Sequence, residues 1–244
     1  MTSPAPISPK KINPINRFLR KFRRWLYDLR AYVPGLSFQH KCERMIGPVG
    51  YWKKLQQYQF NVLKVNGLKP EHALLDLGCG PLQGGIAFIN YLGVSRYTGV
   101  DIIPANVDAA CQQIVLHRLG TKNPRIVHSA HFGEETLGEA SFDFIFASQI
   151  LYILDEKTVS EMLAVVGRRL RPGGKFLGDI VNPEMHATVS ALYSAYFPHS
   201  MELIQRLAQS HGLKVRSLGE ILQYHYPPKL TLRQSLMLEF TKIS

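Results

Sequence analysis

Leu74-Leu-Asp-Leu-Gly-Cys-Gly-Pro-Leu-Gln-Gly-Gly85 is the stretch from which the rest of the chain can be read. Ala73–Leu77 is a short apolar run of the kind that forms a buried strand, and the glycines after it predict a tight turn into a helix near Gly84–Leu92. Gly78 and Gly80 let the backbone approach a ligand closely, and the start of the following helix offers free N–H donors. Taken alone, a Gly-x-Gly turn also suits dinucleotide-binding proteins. Two details separate this turn from theirs. The third glycine, Gly84, falls four residues after Gly80, and an acid, Asp76, stands before the turn. A carboxylate there repels a pyrophosphate but suits the zwitterionic end of an amino-acid moiety.

Outward toward the C-terminus, short apolar strands alternate with helical segments. Strands are expected at Tyr97–Val100 (ending at Asp101), Arg125–His128, Phe142–Ala147, Lys175–Ile180, Leu213–Leu218 and Gln234–Thr241. Helices are expected from about Ala105 to Leu119 and from about Asp155 to Leu170, with a longer helical and irregular stretch after Ile180. This order predicts an α/β domain with a mostly parallel sheet covered on both faces. Toward the N-terminus, a helix is expected over Trp52–Val65, closed by Asn66-Gly67. Before it, Asn16–Val33 places Phe18, Phe22, Trp25, Leu29 and Tyr32 at alternating steps of four and three, with arginines between them. Pro34-Gly35 ends that amphipathic helix, and Met1–Pro14, with four prolines and two serines, has the composition of a flexible leader. The reading therefore divides the chain into a basic arm, residues 1–50, and a domain, residues 51–244.

The net charge of +11 is unevenly placed. Residues 1–54 carry twelve Lys and Arg against Asp28 and Glu43, whereas the remainder holds seventeen basic and sixteen acidic side chains. The near-neutral body does not have the charge of a nucleic-acid-binding surface, so the basicity belongs to the arm. No apolar run is long enough to span a bilayer, and the first residues lack the apolar core of a signal peptide. Three widely spaced cysteines, Cys42, Cys79 and Cys111, suggest a reducing compartment without a disulfide framework. A cytoplasmic location is expected, with two alternatives for the arm: residues 16–33 lie on an anionic membrane surface, or their apolar stripe covers the domain or a second subunit. No metal is expected: the nine histidines show no zinc-like spacing, and His128 and His131 have no further ligand beside them.

Four segments together resemble the class I S-adenosylmethionine-dependent methyltransferases, from about Leu63 to the C-terminus. Leu74–Gly80 looks like that family's first motif, Tyr97-Thr-Gly-Val-Asp-Ile102 like its second, Ser141–Ala147 like its fourth-strand motif, and Leu170-Arg-Pro-Gly-Gly-Lys-Phe176 like the turn before its fifth strand. The resemblance implies a Rossmann-like, seven-stranded, mostly parallel sheet with an antiparallel last strand, and S-adenosylmethionine as cofactor. It further implies that Asp76, Gly78 and Gly80 hold the methionine part, with Cys79 as small filler, and that Asp101 accepts from the ribose diol with Ile102 beside it. His131, Phe132 and Ser148 complete the implied cofactor set. The sequence departs from the family where an acid near the adenine amino group gives way to His131-Phe132, and where a Thr-His-Leu segment is replaced by Tyr152-Ile153-Leu154.

The methyl acceptor is expected to be a small molecule, a glycan-linked intermediate or a lipid, methylated on oxygen or nitrogen. A hydroxyl acceptor requires a base, and the candidates are Tyr152, His186, Tyr193, Tyr196 and His199, of which Tyr193 and Tyr196, with Phe197, fit the apolar face of a cap helix better than a catalytic role. Tyr51 and Trp52 are read as part of a lid over the cofactor. Two alternatives come from the arm: an RNA methyltransferase, disfavoured by Ala147-Ser-Gln-Ile150 in place of an Asn/Asp-Pro-Pro-aromatic motif, and a non-catalytic adaptor of the same fold.

Overall fold

The computed structural model describes residues 35–181 and 196–243. The amphipathic stretch 16–33 and the candidates His186 and Tyr193 lie outside the described residues. Six α-helices and seven strands are described: α1 Phe38–Ile46, α2 Trp52–Val65, β1 Leu74–Leu77, α3 Gly85–Tyr91, β2 Tyr97–Asp101, α4 Pro104–Leu116, β3 Arg125–His128, β4 Phe142–Ala147, α5 Glu156–Arg169, β5 Leu170–Ile180, α6 Met201–Ser210, β6 Leu213–Glu220 and β7 Leu236–Lys242. They build one sheet in the order β3-β2-β1-β4-β5-β7-β6. β1 to β5 run parallel, and β7 lies antiparallel between β5 and β6.

The strand alternation that the sequence carries sorts residues to two faces. Leu74, Tyr97, Phe144, Phe146 and Leu177 join Tyr58, Leu63 and Phe88 in one buried layer with α2 and α3. Leu75, Leu77, Ile145, Ala147 and Phe176 meet Val159, Met162, Leu163 and Ile204 of α5 and α6 in the other. Because both faces are covered, β1 is buried throughout and reads as a continuous apolar run interrupted only by Asp76. Asp143, the acid of the fourth-strand motif, has a structural use: its Oδ2 accepts from the Ala73 N–H at 2.7 Å and pairs with Arg171 Nη1 at 2.7 Å. The motif and the turn before β5 are thereby tied to the start of β1. Asp155 caps α5, accepting from the Thr158 N–H at 2.9 Å.

α1 is an element the sequence reading does not contain. Ser37 caps it, and Cys42 is buried among α2 and α3 residues. Residues on both sides of the boundary drawn at residue 50 thus share one core. Tyr51 and Trp52 also differ from their expected place. Trp52 is buried in that core with Tyr51 packed against it, and neither lines the cleft described next.

Candidate active site

The carboxyl ends of β1, β2 and β4 open into a cleft of about 330 Å³, as expected where strand order reverses in a doubly wound sheet. Its floor is the turn after β1. Gly78 and Gly80 take φ values of +73° and +54°, a region that costs most residues energy but not glycine. A Cβ on Gly78 would lie 2.5 Å from Ile150 Cδ1, so only glycine leaves this edge of the cleft open. The Gly78 and Cys79 N–H groups both donate to Val100 O of β2, at 2.8 and 3.1 Å, which fixes the turn to its neighbour.

Two acids flank the turn. Asp76 is almost fully buried, and its Oδ2 accepts from Tyr97 Oη at 2.7 Å. Burial pushes its carboxyl up to about 7, with the Asp101 charge adding to the rise and the Tyr97 hydroxyl opposing it. Asp101 closes β2. Its Oδ2 accepts from the Gly80 N–H at 2.9 Å, and its Oδ1 from the Ile103 N–H at 2.8 Å and Asn106 Nδ2 at 3.1 Å. The second acid therefore spans the glycine turn and the first turn of α4.

The far wall carries Ile102, Ser129, Ala130 and Phe132. Phe132 sits at φ +56°, and Ser129 Oγ holds the loop by accepting from the His131 and Gly133 N–H groups at 3.1 and 2.8 Å. His131 itself is exposed and is not part of the lining. Ser148, Gln149, Ile150, Ile153, Leu154 and Thr158 form the wall beyond β4. Met45 and Ile46 of α1 complete the lining, with Ile46 Cγ2 3.2 Å from where a Cβ on Gly80 would be. Of the expected cofactor set, Asp76, Gly78, Cys79, Gly80, Asp101, Ile102, Phe132 and Ser148 meet in this one cleft.

The candidate bases are placed differently. His199 Nε2 lies 3.1 Å from Leu151 O and 2.9 Å from Leu154 O. Both partners are acceptors, so Nε2 carries the proton and the ring pins the turn after β4. Tyr152 is buried and stacks on Tyr196 with ring centroids 4.9 Å apart. Burial, together with the charge of Asp179, pushes the Tyr152 phenol well above its ordinary value. None of these three side chains lines the cleft.

The sequence reading does not single out Asp179, Gln149 or Gln59. Asp179 stands one residue before the end of β5, as Asp76 does in β1, an acid breaking an apolar strand, which is a visible signal. Gln149, at φ +60°, donates its N–H to Asp179 Oδ1 at 2.6 Å and its Nε2 to Tyr226 Oη at 2.8 Å. Gln59 reaches the cleft from α2, its Nε2 3.4 Å from Gln83 Oε1.

An acid before a glycine turn, a second acid at the next strand end and an open edge kept by Gly78 are the arrangement that the resemblance to class I S-adenosylmethionine-dependent methyltransferases implies. Residues 75–176 match the family described as "Methyltransferase domain". The chain is 29% identical over 129 residues to the ribosomal protein L11 methyltransferase of Cupriavidus metallidurans, covering 52% of this chain and 38% of that protein. It thus spans well under half of that relative's length. In fold it is similar to magnesium protoporphyrin IX methyltransferase of Synechocystis PCC 6803 with bound S-adenosylhomocysteine (TM-score 0.61, 16% identity, 93% of this chain and 99% of that one). It is also similar to the glycopeptide N-methyltransferase MtfA complexed with sinefungin (TM-score 0.59, 13% identity, 77% and 93%).

Proposed function

We propose that this chain transfers a methyl group from S-adenosylmethionine to an oxygen or nitrogen of a small molecule, a class that includes glycan-linked intermediates and lipids. The observation that carries this reading is the pairing of Asp76 and Asp101 on either side of the Gly78–Gly80 turn, inside one cleft. When bound, the cofactor supplies an electrophilic methyl on a positively charged sulfur. The chain's own work is to bind and align. Asp76 attracts the ammonium of the methionine part, the glycine turn admits its carboxylate, Asp101 accepts from the ribose hydroxyls, and Ile102 and Phe132 enclose the base. Alignment of acceptor and methyl is the main requirement of an in-line displacement. Ser148, Gln149, Ile150, Ile153 and Leu154 line the cleft beyond β4, on the side left for the acceptor. Calorimetric titration with S-adenosylhomocysteine is the direct test, and a folded protein that fails to bind it overturns the reading.

A pH dependence follows from Asp76. With its carboxyl near pH 7 in the free protein, binding an ammonium requires the proton to leave. Affinity for S-adenosylhomocysteine is expected to fall below about pH 7, by up to about tenfold per unit. Replacement of Asp76 by Asn removes this slope. Affinity independent of pH between 5.5 and 8 in the unsubstituted protein, the range titrated by calorimetry, shows that Asp76 does not meet the ammonium.

For the arm we infer attachment to an anionic membrane surface, supported by the confinement of the positive charge to residues 1–54 beside a near-neutral body. Among the described residues no helix is long and apolar enough to cross a membrane. Flotation with anionic vesicles is expected for the full chain and lost for a chain starting at Gly35, which keeps α1 in the core. Equal flotation of the two removes this reading.

A further inference from the structure

Behind the cleft wall, α2, the turn after β4 and strand β5 bring a carboxylate and several tyrosines together. Asp179 near the end of β5 is fully buried, and its Oδ2 has no hydrogen-bond partner among the described residues. Tyr58 Oη of α2 and Ser148 Oγ after β4 are buried as well and face each other. Ala147 pairs with Gly178, so Ser148 and Asp179 follow side by side on adjacent strands, and Ser148 also lines the cleft. Tyr58 packs edge-on against Tyr226 with centroids 4.9 Å apart, and Tyr152 stacks on Tyr196. The Asp179 charge acts on both Tyr58 and Tyr152, and Tyr226 acts on both as well. Among the described residues Asp179 makes no ion pair with a Lys, Arg or His.

A buried acceptor left without a donor costs stability, and folded proteins keep such atoms where a water, an ion, a ligand or a catalytic role accounts for them. A carboxylate without an ion-pair partner among the described residues, set among aromatic rings, is complementary to a positively charged nitrogen through both its charge and the ring faces. We propose that the tyrosines around Asp179 hold the acceptor's nitrogen and that the acceptor is an amine, a proposal that rests on the methyltransferase reading above. The ammonium donates to Asp179 Oδ2 and loses that proton to it. The freed lone pair forms the N–C bond as the methyl C–S bond breaks, with its electron pair remaining on sulfur. The proton then leaves Asp179 for water, and the methylated amine departs. Burial pushes the Asp179 carboxyl up to about 7, with the Gln149 N–H opposing, which suits a group that takes and returns a proton near neutrality.

Benzylamine and benzyl alcohol, of similar shape, are the probes, titrated by ligand-observed NMR into the full chain saturated with S-adenosylhomocysteine. Benzylamine is expected to bind about tenfold more tightly, as for a charge-assisted hydrogen bond in a buried site. Asp179→Asn is expected to erase that preference while S-adenosylhomocysteine affinity stays within about twofold, since Asp179 does not line the cofactor cleft. Equal binding of the two probes by the unsubstituted protein overturns the proposal even if the variant fails to fold. Failure to bind S-adenosylhomocysteine at all instead overturns the methyltransferase reading, and the amine proposal with it.

Discussion

Asp101→Ala is expected to weaken S-adenosylhomocysteine binding by about 1–3 kcal/mol, the loss of a charged acceptor from a buried site. In affinity this is roughly a factor of five to a hundred and fifty. The side chain does two things that the experiment must separate. In the proposed reading it offers lone pairs to the ribose hydroxyls, and in the structure it ties the Gly80 N–H to the first turn of α4 through Ile103 and Asn106. Asn106→Ala removes only the amide donor to Oδ1 and so tests the second contribution, with an expected loss of about 1 kcal/mol or less. Calorimetry on both variants, with urea unfolding of each free protein, distinguishes weakened binding from a loosened turn. Unchanged affinity in Asp101→Ala shows that the ribose assignment is wrong.

Gly78→Ala is expected to cost stability and binding together. The left-handed backbone there penalises an L side chain by about 1–2 kcal/mol. The added Cβ would also meet Ile150 Cδ1 at 2.5 Å, and overpacking of this kind adds roughly 1–3 kcal/mol unless the neighbour yields. Urea unfolding should register the sum. Combining Gly78→Ala with Ile150→Ala provides the decisive comparison, because truncating Ile150 relieves the clash but not the backbone strain. A double variant that recovers about half of the stability loss matches this division. A double variant no better than Gly78→Ala shows that strain alone operates.

The elements that were legible before the structure are those whose cause is local. Arg125–His128, Phe142–Ala147 and Trp52–Val65 lie within their expected bounds, because each is a short apolar or amphipathic period closed by turn residues. β5 begins earlier than expected, at Leu170, since Leu170 pairs with Phe142 ahead of the Pro-Gly-Gly turn and the ladder resumes at Lys175 with Phe144. α1 escaped because its polar residues dominate. Yet Phe38, Cys42, Met45 and Ile46 fall on one helical face, and that spacing is the signal that could have found it. Asp76, Asp101 and the glycines were legible because a turn and two strand ends lie close in sequence. The tyrosine group around Asp179 was not: Tyr58, Tyr152 and Tyr226 come from three distant segments, joined only by the order of strands in the sheet. His199 looked like a base because residue type alone says nothing of the carbonyls that hold it.

That the site is assembled from the ends of neighbouring strands has a thermodynamic consequence. Asp76, Asp101, Ser148 and Asp179 stand near the ends of β1, β2, β4 and β5, which form the unbroken middle of the sheet. A molecule that bridges the first two cannot bind to a chain in which that middle has come apart. Its binding energy is then added to the cooperative unfolding of the whole sheet, about 2.7 kcal/mol when the free ligand stands at a hundred times its dissociation constant. Resistance to heat or proteolysis would therefore rise and fall with the supply of methyl donor, and cellular abundance of the protein would follow the same supply.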